Sequence, residues 1–229
     1  MPESGENISQ KILTSKDIEN ELESAAEEGR LADFSQQTIQ EVNLSDRTIE
    51  TSVTFAGAKI LGPAFFSKTI VKGDLNLSSA VISTSLYLGE ANIAGELNCA
   101  QVSVGEVLNA VGIVVEKNLN LTEARIRGFL SLNKAVVTGQ INCQKITVQS
   151  SESTIGVIRG DAYFQEIKTR ESVNLEEAYI DGLLSFERAR VKGHLNLNNA
   201  VINDFLLLKE AVIREGILEE GTESKGKIS

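Results

Sequence analysis

Tryptophan is absent from these 229 residues, and proline, cysteine and histidine number only two, two and one. With a single histidine and no paired cysteines, the chain lacks the ligand spacing of a zinc finger. No apolar run approaches the ~20 residues of a membrane-spanning helix, and the polar N-terminus lacks the apolar segment of a secretory signal. The expectation is therefore a cytoplasmic protein without a transmembrane segment. Positive charge is also short: 22 Lys and Arg face 32 Asp and Glu, for a net charge of −10. That balance argues against direct nucleic-acid binding, which sets Lys and Arg against phosphate, and favours solubility or a basic protein partner. Aromatics make up 5% of the chain, which suits a narrow core of aliphatic side chains.

What is abundant is repetition. Gly73-Asp-Leu-Asn-Leu-Ser-Ser-Ala-Val-Ile82 places apolar side chains at Leu75, Leu77, Ala80 and Ile82. Leu86, Leu88, Ala91 and Ile93 repeat the set, then Leu97, Cys99, Val102 and Val104, and the pattern continues toward Ile213. A helix would scatter these positions around its circumference at about 100° per residue. Two short strands collect them, since alternate side chains of a strand point one way. Repetition of strand spacing at a fixed period predicts a stacked all-β solenoid. Eleven residues are too few to surround a Leu and Ile core, so one coil takes two units, about 22 residues. Asn76, Asn98, Asn120 and Asn142 recur at that interval, as a ladder of like residues on one face would.

The L-x-L-x-x-A-x-I unit resembles two consecutive blocks of the pentapeptide-repeat family, and the resemblance spans roughly residues 42–213. It implies a right-handed parallel β-helix with four sides. The alternation punctuated by Gly is also similar to bactofilins, polymer-forming β-helices.

Along the chain, residues 1–40 read as a disordered start followed by a capping α-helix over Ser15–Glu28, with Ser15 as N-cap and Gly29 as its stop. Ile18, Leu22, Ala25 and Ala26 share its apolar face, and Leu31 and Phe34 fall in a connector. The parallel β-helix is expected over 41–214, beginning near Val42, with Arg47 at a position where Ala is usual. About seven coils give a rod near ~35 Å long. From Ile141 to Ala162 the spacing carries ten extra residues, read as an insertion near 149–159. Its Ile155, Val157 and Ile158 are expected to fold back on a neighbouring strand. Residues 215–229 read as a polar C-terminal tail.

Candidate chemistry is sparse. Cys99 and Cys143 occupy equivalent inward sites two coils apart, beyond disulfide reach, and read as buried reduced thiols. His194 and the carboxylates Asp74, Glu96 and Glu106 fall at corners. No acid or nucleophile stands at fixed spacing from His194, so no catalytic residue, cofactor or metal site is assigned. The exposed columns offer an interaction surface of Phe65, Ile70, Tyr87, Val114 and Val136. The expected function is a non-enzymatic structural or protein-interaction scaffold, self-association included. The alternative is an acidic DNA mimic acting on a topoisomerase, a role that the pentapeptide-repeat resemblance implies.

Overall fold

The computed structural model describes residues 11–153 and 156–229, with only the backbone of the short strands inside 151–158. Each unit forms two strands of two residues joined by tight corners. In the first unit, Leu75–Asn76 and Val81–Ile82 turn Leu75 and Ile82 inward and Asn76 and Val81 outward. The strands of the wall lie parallel to those a full coil later: Leu75 beside Leu97, Val81 beside Ser103, Leu86 beside Leu108, Asn92 beside Val114. The offset is 22 residues rather than 11, so two units make one coil and the wall has four faces. The described residues form a parallel β-solenoid with one short helix ahead of its first rung.

The first face holds nine strands, from Ala32–Asp33 to Ile217–Leu218, and the fourth holds eight, from Thr48–Ile49 to Val212–Ile213. The second face carries Val81 and the third Tyr87. Near the C-terminus the extended strands Val201–Leu207 and Glu223–Ile228 run through the corner between these two and join them.

The corners explain the Gly, Asn and charged punctuation. The corner inside each unit holds one residue in the left-handed region, Ser79 and Glu90 at φ 57° and Gly112 at φ 70°, for example. A non-glycine residue gives up about 1–2 kcal/mol there. Stacking holds it in place, because its N–H also bonds the rung above, as Ser79 does to Ala100 O at 2.8 Å. The Asn column has a local use. Asn76, Asn98 and Asn120 each accept the backbone N–H two residues ahead at 3.0 Å, an Asx turn that closes the corner. Glycine opens many units because rungs touch there; a Cβ on Gly105 would lie 2.0 Å from Ser83 O.

Inside, volume is conserved corner by corner. Leu77 is followed by Ala80, Leu88 by Ala91, Leu121 by Ala124. Where the first residue shrinks, the second grows: Cys99 with Val102, Ala110 with Ile113, Cys143 with Ile146. Phe164 with Ile167 departs from this rule. Both thiols are free and fully buried, and burial pushes Cys99 up to about 12 and Cys143 further still.

The core is not purely aliphatic, contrary to the reading from composition. Phe34, Phe55, Phe66, Phe164 and Phe186 are buried in it. Phe34 stacks on Phe55 at 4.9 Å and Phe164 on Phe186 at 4.8 Å. A ring that stacks flat on the equivalent ring one coil away needs no wider coil, because the planes follow the rise.

Both ends differ from the sequence reading. The coil starts at Ala32, not Val42: Ala32 pairs with Val53, and Phe34 is core rather than connector. Earlier still, Ile12–Leu13 pairs with Thr38–Ile39. At the other end, 217–228 is a further rung rather than a free tail.

The helix α1, Ser15–Glu28, lies across the first rung and buries Ile18 and Ala25, with Leu22 partly buried and Ala26 exposed. Thr14, not Ser15, is the N-cap. Its hydroxyl accepts the Asp17 N–H at 3.4 Å and the Asp17 carboxylate accepts the Thr14 N–H at 2.8 Å. Gly29 ends the helix at φ 65°. Arg47, the one charged residue the described rungs place at this mostly apolar corner position before the last rung, reaches back to Glu19, and Arg30 bonds Glu21 and Glu28, so ion pairs fasten the helix to the start of the coil.

Candidate interaction surface

The ten extra residues between Val148 and Ala162 leave the wall as an antiparallel hairpin of Ser151–Ser153 and Gly156–Ile158. Register survives: Asn142 stands beside Asn174, and Thr147 beside Tyr179. Backbone N–H groups seal the junction, Ser150 to the Asp181 carboxylate at 3.1 Å and Gly160 to the Ser150 hydroxyl at 3.1 Å. Ile155 and the side chains of Val157 and Ile158 lie outside the described residues.

With register fixed, the outward columns can be read along the rod. Phe65 and Tyr87 are neighbours on the third face, half-buried, with rings stacked at 5.2 Å and 9°. Ile70, Val114 and Val136 belong to the fourth face, with Asn92 between the first two. Ile70 and Val136 are exposed and Val114 is half-buried. The five residues thus divide between two adjoining faces instead of forming one patch.

The sequence reading carried the register past the insertion but followed the fourth-face column only to Val136. Beyond Val136 its column runs Lys168, Arg190, Val212. The adjoining corner column runs Thr138, Arg170, Lys192, Arg214. The two columns wall a groove of about 400 Å³ along the rod axis. All five cations are exposed, and among the described residues none has an ion-pair or side-chain hydrogen-bond partner. Of the nearby acids, Glu166 lies 4.0 Å from Arg188 and Glu215 3.4 Å from His194 Nε2, and Glu171, next to Arg170 in the chain, is exposed without an ion pair to any of the five. The signal was present in the sequence as Lys168-Thr-Arg170 and Arg190-Val-Lys192, 22 residues apart.

The corner carboxylates have structural tasks. Asp74 accepts the Glu96 N–H at 2.7 Å, one coil on, and Glu106 accepts from the Ser85 hydroxyl at 3.1 Å. Buried Asp161 accepts the Leu183 N–H at 2.9 Å and the Tyr163 hydroxyl at 2.8 Å. Burial, and then this carboxylate, push the Tyr163 phenol up to about 12. His194 is half-exposed at its corner, with Nδ1 buried and unpartnered.

No protein-family model, curated protein or solved structure matches the chain. The parallel β-solenoid therefore stands on the geometry above, and the pentapeptide-repeat and bactofilin resemblances stay at the level of the repeat. No helix among the described residues is long and apolar enough to cross a membrane.

Proposed function

We propose that this chain is a non-enzymatic interaction scaffold, a discrete rod that binds protein partners along its sides. The supporting observation is that both ends of the core are covered. At the start α1 lies over the first rung. At the finish, after Ile217 over Leu195, the inward positions turn polar: Glu219, Thr222, Ser224 and Lys227 stand over Leu197, Ala200, Ile202 and Leu206. Lys227 Nζ meets Glu219 Oε2 at 2.9 Å across the end, and Thr222 donates to Leu197 O at 2.7 Å. Inward-pointing charge and edge lysines deter further strand addition, and polar terminal repeats keep solenoids apart. What remains to a partner is the side wall.

The DNA-mimic alternative draws less support. It needs carboxylates arrayed along the rungs, whereas the outward columns hold Asn, Ser, Val, Lys and Arg. Photo-crosslinking residues placed at Tyr87 and Val136, and at Glu220 on the end rung, test the proposal in the native cell. Specific adducts from the two side positions are expected. Adducts to further copies of the chain from Glu220 alone would replace the scaffold with a polymer, and adducts to a topoisomerase would restore the mimic.

A further inference from the structure

Resting on the scaffold reading, we infer that the fourth-face groove binds a short, extended acidic segment of a partner protein. Lys168, Arg170, Arg190, Lys192 and Arg214 line it from both sides and form no ion pair among the described residues, in a chain whose net charge is −10. Leaving five cations unneutralised while 32 acidic residues are available elsewhere is a local charge imbalance that a carboxylate-bearing ligand corrects. The walls rise on successive rungs, so the cations recur every ~4.8 Å along the axis. Three of the five are arginines, whose planar fork suits carboxylates. Exposed Val136 and Val212 close the two ends of the charged stretch, which adds an apolar contact beside the acidic residues.

The shape narrows the ligand. Four rungs span ~14 Å, the length of four or five extended residues. A leaflet of lipid cannot enter a two-walled groove. A long nucleic acid would continue over the N-terminal half, where the same corner column runs Glu116, Ala94, Lys72 and Glu50, with Lys72 already paired to Glu50 at 2.6 Å. A second copy lying face to face is too small an interface. Eight two-residue strands offer roughly 250 Å², against the ~800 Å² per partner of a standard complex.

The test is fluorescence anisotropy with a labelled triglutamate peptide carrying a valine at each end, five residues matched to the ~14 Å span, titrated with the full chain at low salt. Saturable binding is expected, weakening with added salt. Arg190→Glu/Lys192→Glu should weaken it about tenfold or more. Arg125→Glu/Arg127→Glu makes the same change at the same spacing on the second face and should leave binding unchanged. If the first pair fails to fold, Arg190→Gln/Lys192→Gln replaces it. No binding, equal loss in both pairs, or tighter binding of a thymidine oligonucleotide or of phosphatidylserine vesicles overturns the inference. The scaffold reading falls separately, if crosslinks form only from the end rung.

Discussion

A single corner is the packing unit of this core. The two residues that share it trade volume, as Cys99 with Val102 and Leu77 with Ala80 show. Cys99→Leu alone should overpack the corner and cost about 1–3 kcal/mol. Adding Val102→Ala should recover most of that, a coupling visible as a non-additive shift in the urea midpoint. A double variant no better than the sum of its parts would show that neighbouring rungs set the volume instead. Burial makes a second prediction. With Cys99 raised from 9.0 to about 12, the unfolded thiol ionises first as pH rises. The unfolded state then binds fewer protons than the folded one, so stability falls with pH across that window. Full stability is expected below pH 9, where a disulfide reagent should modify neither thiol until the protein is unfolded. The inward set and the two thiols were legible in the sequence because strand alternation at fixed period leaves little choice. The stacked Phe34 and Phe55 were not, since nothing in a one-dimensional pattern says that rings of successive coils lie flat on one another.

At the scale of an element, α1 is a lid rather than an arm. Its burial of Ile18 contributes about 1.5–3 kcal/mol, and Arg47 replaces the corner alanine in order to reach Glu19. Ile18→Asp should release the helix and expose the first rung, seen as new association in sedimentation velocity while the strand signal persists. A variant that stays a single species would mean that the rung is protected without α1. The helix bounds were readable from Gly29 and the apolar face, but the element it covers was placed ten residues late. Ala32-Asp-Phe34 carries only one large apolar residue, and at a chain start that looks like a linker. The last rung was missed for the opposite reason. Its inward positions are polar because they close the core, and polarity without a hydrophobic period reads as a tail. The groove cations were hidden by the hairpin, which shifts Lys168 to 32 residues from Val136 rather than 22.

For the whole molecule, closure at both ends predicts a particle of fixed length. Glu219→Leu/Lys227→Leu removes the terminal ion pair and makes the last rung apolar, so electron microscopy should find end-to-end chains where the unaltered protein gives single rods. Unchanged single rods would assign the stop to the backbone of Glu223–Ile228 instead. The two-unit coil has another consequence. Inward and outward positions repeat every 11 residues, while the faces repeat only every 22. Removing residues 97–118 should therefore shorten the rod by one ~4.8 Å step and keep every column aligned. Removing 97–107 should still fold, but everything downstream would arrive half a revolution out of phase. Lys168 and Arg190 would then line up under Val81 rather than Ile70. Length and angular phase are thus separately adjustable in this chain, and a partner that contacts two faces at once would read both as a vernier.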